Sequence, residues 1–210
     1  MNKKYNVYWF LIGCLLSSQA VLAHDDLIYS SANRWYADYG NKGIIAEDGV
    51  QENGSQIFFG DYNGDGLPDM CTVRFEQSLV EWEWKLNDGS GGWTTLPVIR
   101  FGVSASDKAI VGDFNGDGKT DIAVFRNSSS SIFASWYIDF APCDGNYDAR
   151  GNFGLNNDIP LSGDFNADGV DDLCVYRPSD GTWYVTFSEI TGYPDFISPL
   201  AINGDRKSVV

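Results

Sequence analysis

Three short apolar runs recur along the chain: Met70-Cys71-Thr72-Val73, Ile122-Ala123-Val124-Phe125 and Leu173-Cys174-Val175-Tyr176. Each is entered through an aspartate and left through an arginine, Arg74, Arg126 or Arg177. Four apolar, partly β-branched residues bounded by turn formers predict a buried strand. A Ser/Asn/Gly turn follows, clearest in Arg177-Pro178-Ser179-Asp180-Gly181-Thr182, and then an aromatic strand: Trp82-Glu83-Trp84, Trp136-Tyr137-Ile138 and Trp183-Tyr184-Val185-Thr186-Phe187. Arg34-Trp35-Tyr36-Ala37-Asp38 reads as the same strand of an earlier, incomplete unit. A variable polar loop, a Phe-Gly pair (Phe101-Gly102, Phe153-Gly154) and an approach such as Ile159-Pro160-Leu161-Ser162 complete the unit. Before the first unit the pair is missing, although Phe59-Gly60 lies close. No convincing amphipathic helix appears beyond the N-terminal segment, so the chain is expected to be all-β.

The polar stretches between the strands are as regular as the apolar runs. They read Gly60-Asp61-Tyr62-Asn63-Gly64-Asp65-Gly66-Leu67-Pro68-Asp69, Gly112-Asp113-Phe114-Asn115-Gly116-Asp117-Gly118-Lys119-Thr120-Asp121 and Gly163-Asp164-Phe165-Asn166-Ala167-Asp168-Gly169-Val170-Asp171-Asp172. Their first aspartates stand at 61, 113 and 164, an internal repeat of 51–52 residues. The common pattern is Asp-x-Asn-x-Asp-Gly-x-x-Asp. Calcium takes six to eight oxygens, and a short loop can offer them from side chains at positions 1, 3 and 5 and a carbonyl at 7. The glycine at position 6 permits the bend that turns them inward. An EF-hand would close with Glu at position 12 between helices; here position 12 is Thr72, Val124 or Val175, and an Asp stands at position 9. Asn-Gly and Asp-Gly also make plain hairpin turns. One copy would leave those readings even; three copies with every carboxylate in register favour calcium.

Three or four short strands per unit match the blades of a β-propeller, each blade covering its neighbour's aromatic face. An aromatic content of 15% in a chain with no other large core fits that arrangement. The expected architecture is about three to four propeller-like blades, incomplete or open, with calcium loops between strands. The order Phe-Gly, then Gly-Asp-Phe-Asn-Gly-Asp-Gly-x-x-Asp, then apolar strand, Arg, turn and Trp-Tyr resembles the FG-GAP/VCBS repeats. These are the calcium-binding blades of integrin α-subunits and of many secreted bacterial proteins. The resemblance covers roughly residues 33–187. It implies about three Ca²⁺ ions, held by Asp61, Asn63, Asp65 and Asp69; by Asp113, Asn115, Asp117 and Asp121; and by Asp164, Asn166, Asp168 and Asp172. The carbonyls of Leu67, Lys119 and Val170 would complete the sites.

The chain departs from the family in length. Closed propellers generally need at least four blades, and residues 24–210 hold fewer than four periods. The units are an incomplete blade over 24–59 and repeats over 60–111, 112–162 and 163–210. The last ends in Pro199-Leu200-Ala201-Ile202-Asn203-Gly204-Asp205-Arg206-Lys207-Ser208-Val209-Val210, which resembles a fourth loop with its middle lost. Three alternatives stand open: a truncated product, an open arc with unpaired edges, or a homo-oligomer that completes the ring.

Residues 1–23 read as a signal peptide: Lys3 and Lys4, an apolar stretch from about Val7 to Leu16, then Val21-Leu22-Ala23 before the cut. The expected location is therefore extracellular or periplasmic. Leu11-Ile12-Gly13-Cys14 offers the alternative of a lipoprotein anchored through Cys14. Cleavage would take the formal charge from −15 to −17, since it removes two lysines and no acid. Three calcium ions would return it to about −11. Such a surface repels nucleic acid and anionic membranes, and no membrane insertion of the mature chain is expected. Cys71 and Cys174 share one repeat position that Ala123 fills in the middle copy, which reads as a small core site and not a disulfide framework. Cys143 stands apart in a polar turn.

Three functions follow. The first is a secreted binding or adhesion module for a glycan or an extracellular protein, with Arg74, Trp84, Arg126, Trp136, Arg177 and Trp183 as the candidate ligand surface. Residues that recur in every blade also serve packing between blades, which is the plainer reading of that set. The second is an accessory or truncated domain of a polysaccharide-acting enzyme. A single histidine, His24, nearly excludes a Ser-His-Asp or Cys-His arrangement, and the prominent acids are claimed by the loops, so no catalytic activity is expected. The third is a purely structural repeat fragment.

Overall fold

The structure is a computed structural model. It describes residues 55–76, 78–103 and 107–187 with their side chains, and a few further segments as backbone strands alone. The backbone strands β1 (Ala20–Ala23), β2 (Asp26–Ser31), β3 (Arg34–Asp38) and β4 (Ile45–Val50) form an antiparallel sheet in sequence order. Cleavage after Ala23 would remove β1 from it. Residues 1–19 of the expected signal peptide, and the expected partial fourth loop at 199–210, lie outside the described residues.

Three sheets follow. The first takes β5 (Gln56–Gly60), β6 (Asp69–Glu76), β7 (Leu79–Asn87) and β8 (Trp93–Thr95) in order, and β9 (Ile99–Arg100) shares the outer edge of β7 with β8. The second takes β10 (Lys108–Gly112), β11 (Asp121–Arg126), β12 (Phe133–Asp139) and β13 (Ala149–Leu155). The third takes β14 (Ile159–Gly163), β15 (Asp172–Arg177) and β16 (Thr182–Thr186). The backbone strand β17 (Asp195–Phe196) adds to β13 in parallel. All other pairings are antiparallel, and the described residues contain no helix. The all-β expectation holds, and no closed ring is formed among the described residues. Sheet boundaries are offset from the repeats read off the loops, because the approach strand before each loop pairs with the strand after it (Gly60 with Asp69, Gly112 with Asp121, Gly163 with Asp172).

The sheets are laid against one another. β10 lies beside both β5 and β14. β11 shows why its sequence is apolar without alternation. Its Ile122 and Val124 join one core with Cys71, Val73 and Trp82, while Ala123 and Phe125 join the next with Trp136, Leu173 and Val175. A strand covered on both faces needs no polar face. Full burial of an Ile, Val or Phe side chain contributes about 1.5–3 kcal/mol, and β11 buries such side chains on both faces against neighbouring sheets.

Candidate metal centres

Each loop is folded by its own first aspartate. Asp61 Oδ1 accepts from the Gly64 and Asp65 amides at 2.7 and 3.0 Å, and Oδ2 accepts from Gly66 at 2.7 Å. Asp113 repeats this with Gly116, Asp117 and Gly118 at 2.7, 3.1 and 2.8 Å. Asp164 accepts from Asp168 and Gly169 at 3.1 and 3.0 Å. The Asn side chain at position 3 accepts from the position-5 amide in every loop, at 2.9 Å. The Asp at position 5 accepts from the position-7 amide, Leu67, Lys119 or Val170. The backbone reaches these bonds through left-handed residues at positions 4 and 6. Both are glycine in the first two loops, whereas Ala167 takes position 4 of the third with φ 64°.

The aspartate at position 9 opens the next strand and is buried. Asp69 Oδ2 accepts from the Tyr62 amide and Oδ1 from Asn87. Asp121 does the same with Phe114 and Ala141, and Asp172 accepts from Phe165. Burial raises the Asp69 pKa to about 6 and the Asp121 pKa to about 7, and the two other carboxylates of each loop push the same way. Burial also raises Asp172. Negative charge at this position is therefore disfavoured until something positive joins it.

The loops are also tied to one another. The Thr120 amide donates to the Asp61 carbonyl at 2.7 Å, and the Asp171 amide to the Asp113 carbonyl at 2.7 Å. Asp171 Oδ2 in turn accepts from the Asp113 amide at 2.8 Å. Thr120 and Asp171 both occupy position 8, so each loop reaches back to the one before. Two further bonds join the sheets: Lys108 Nζ to the Asp158 carbonyl at 2.7 Å, and Ser162 Oγ to the Val111 carbonyl at 2.5 Å.

The donor set fits calcium in kind: hard oxygens alone, at alternate positions, on a backbone already turned by the amides. Asp61 and Asp113 each accept two amides at Oδ1 but only one at Oδ2, so their Oδ2 atoms keep a lone pair for a cation. Asp61, Asn63, Asp65, Asp69 and the Leu67 carbonyl would hold the first ion, with the equivalent sets in the other loops. Among the described residues, however, no three His, Cys, Asp or Glu side chains converge into a preformed metal cluster. In the first and third loops the position-3 Asn also donates to the position-5 carboxylate, Asn63 to Asp65 at 2.9 Å and Asn166 to Asp168 at 2.7 Å. That side chain must yield this bond for the oxygens to close on an ion.

The arginine–tryptophan set does not gather at a surface. Arg126 forks onto Asp107 and Arg177 onto Asp158, with both carboxylates buried. The guanidinium groups lie over Tyr137 and Tyr184, 4.6 and 4.1 Å from the ring centres. Arg74 pairs with Glu83 at 2.7 Å. Trp136 is fully buried and its Nε1 donates to the Phe153 carbonyl at 2.9 Å. Trp84 is buried as well, which leaves Trp183 as the one tryptophan of the three that is exposed. The repeat partner of Trp136 is Trp82, whose Nε1 donates to the Phe101 carbonyl at 2.8 Å; Trp84 is not that partner. Five of the six residues thus serve packing or ion pairs between strands, the plainer of the two readings.

Asp107 and Asp158 carry no mark of this role in the sequence. Each stands six residues before the first loop aspartate, and the same position in the first repeat is Ser55. Where that aspartate is missing, the residue that the arginine meets diagonally on the next strand changes too: Glu83 takes the place of Tyr137 and Tyr184. The negative partner has moved from one side of the arginine to the other. Cys71, Cys143 and Cys174 are free thiols, and Cys143 lies against the core that contains Cys71.

A search of curated proteins returns no significant match. Residues 61–124, from the first loop through the second loop and into β11, match the family model described as an FG-GAP-like repeat. With the loop geometry repeating across that span, this part of the chain is an FG-GAP-like repeat.

Proposed function

We propose that the chain is a secreted, calcium-stabilised repeat module of the β-propeller type, a binding or adhesion unit for a glycan or an extracellular protein with no catalytic activity of its own. The observation that supports it best is the shared amide cradle of the three loops, which holds a set of carboxylates that lack a counter-charge. Like-charge repulsion in each empty loop opposes folding, and an ion bound only to the folded state relieves it. Calcium would supply charge neutralisation and cross-linking of each loop. Calcium titration of the metal-free chain by calorimetry, followed by a glycan array in millimolar calcium, tests both halves. About three ions bound and a defined set of glycan hits are expected. No binding of calcium refutes the cofactor, and a blank array refutes the lectin role.

A purely structural module is favoured by one observation: Arg126, Arg177 and Trp136 are committed to pairs and packing inside the sheets. A calcium titration that succeeds beside a blank array, with no protein partner retained on the immobilised module, is the outcome that reading requires.

A further inference from the structure

The two junctions between the loops are not alike. At each, the position-8 amide of one loop donates to the position-1 carbonyl of the loop before it, Thr120 to Asp61 and Asp171 to Asp113, both at 2.7 Å. At each, the position-8 side chain also fills the space in front of the glycine that opens the earlier loop. A Cβ on Gly60 would meet Thr120, and one on Gly112 would meet Asp171. Among the described residues the second junction alone also closes in the other direction, because Asp171 Oδ2 accepts the Asp113 amide at 2.8 Å. Asp113 is thus held at both its N–H and its C=O by a single residue. Its own side chain folds the second loop by taking the Gly116, Asp117 and Gly118 amides. Asp171 stands between Val170 and Asp172, positions 7 and 9 of the third loop. Its half-buried carboxylate lies within electrostatic reach of both position-1 aspartates, Asp113 and Asp164.

We infer that Asp171 is a positioning residue of two centres at once, its own and the second, and that its clamp on Asp113 couples calcium binding in the second and third loops while the first loop binds apart from them. The inference rests on the calcium reading of the loops. Ordering Asp113 in the second loop fixes Asp171, and with it the Val170 carbonyl and the Asp172 carboxylate that the third loop offers on either side. The reverse follows, because coupling between two binding equilibria is reciprocal. The Asp171 carboxylate also adds negative charge to both centres. Thr120 has a hydroxyl and a methyl where Asp171 has a carboxylate, so the first junction carries the amide bond without the charge and without the return bond.

Calcium titration of the isotope-labelled full chain, followed by NMR, reads the loops one by one, because the position-6 amides of Gly66, Gly118 and Gly169 each donate to the first aspartate of their own loop. Asp117→Asn weakens the second loop and leaves the clamp in place. It should lower the affinity read at Gly169 by at least about fivefold, the low end of coupling between sites, and leave that at Gly66 within about twofold. Asp168→Asn should do the same at Gly118. Asp171→Asn keeps an acceptor for the Asp113 amide and loses the charge, so it should weaken binding at Gly118 and Gly169 together and spare Gly66. Unchanged affinity at Gly169 in Asp117→Asn overturns the proposal, and so does a loss confined to Gly169 in Asp171→Asn. An equal loss at all three glycines in Asp171→Asn overturns it as well, since that marks a general weakening of the fold. If calcium moves none of the three glycines in the wild type, the calcium reading itself fails and the proposal falls with it.

Discussion

Arg126 and Asp107 form a two-point pair, Nε to Oδ1 at 2.8 Å and Nη2 to Oδ2 at 2.7 Å, and the same Asp107 Oδ2 accepts the Val103 amide just after the Phe-Gly pair. Arg177 and Asp158 repeat it, with the Leu155 amide in the third role. The Phe-Gly signature is thereby explained: Gly102 and Gly154 have φ of 112° and 83°, and a Cβ on either would crowd the adjoining valine and the aspartate. Removing the arginine strands a buried carboxylate. Arg126→Ala is expected to lower stability by about 3 kcal/mol, within the range for a broken buried pair. Arg74→Ala, whose pair with Glu83 is partly exposed on both sides, should lose less, about 1 kcal/mol. Urea denaturation of the calcium-loaded variants checks the order.

Ala167 occupies a left-handed position that the other loops give to Gly64 and Gly116. An L-residue there carries a strain of about 1 kcal/mol. Ala167→Gly should therefore raise stability by about that amount, offset in part by the added freedom of the unfolded glycine. Gly116→Ala should lose more, since its Cβ would also press on Val170. Paired melts of the two variants decide the signs.

Thr120 ties the second loop to the first through its amide, and its side chain fills the space where a Cβ on Gly60 would go. Thr120→Pro removes the donor and leaves a carbonyl unpaired, an expected loss of about 1–3 kcal/mol. Gly60→Ala should lose a similar amount by overpacking. Hydrogen exchange distinguishes them from a general weakening, because loops one and two should lose protection before the β11–β12 pairing does.

Asp139 supplies a pH dependence separate from the loops. Burial raises its pKa to about 6, although it accepts from the Asp144 and Gly145 amides. The folded state holds this proton to about pH 6, while the unfolded chain releases it near 3.8. Between those values the folded state binds more protons, so this group's contribution to stability falls as pH rises. In EDTA, wild type should lose more stability from pH 4 to pH 6.5 than Asp139→Asn, whose side chain does not titrate. Equal slopes would refute this.

Much of the fold was legible because two periodicities were written into the chain together. The apolar runs located β6, β11 and β15, and the Asp-x-Asn-x-Asp-Gly pattern located the turns before them. The sequence does not separate Trp82 from Trp84, because Trp82-Glu83-Trp84 offers two aromatics on one face, and only the pairing of Val73 with Trp82 fixes which is the repeat residue. Asp107 and Asp158 were hidden because an aspartate in a polar approach segment looks like surface until the arginine from the next strand closes over it. The sheet boundaries were offset for a related reason, since a loop-centred repeat conceals that the strands on either side of a loop are partners.

The most direct test is thermal unfolding of the mature chain in EDTA and in 10 mM calcium. With dissociation constants on the order of 10⁻⁴ to 10⁻³ M, three sites should add about 4–8 kcal/mol, a rise in Tm of about 10–25 °C. Magnesium at the same concentration should give much less, because it demands a tighter octahedral shell and dehydrates reluctantly. If the two melts coincide, the three loops are hydrogen-bonded turns and the calcium account fails.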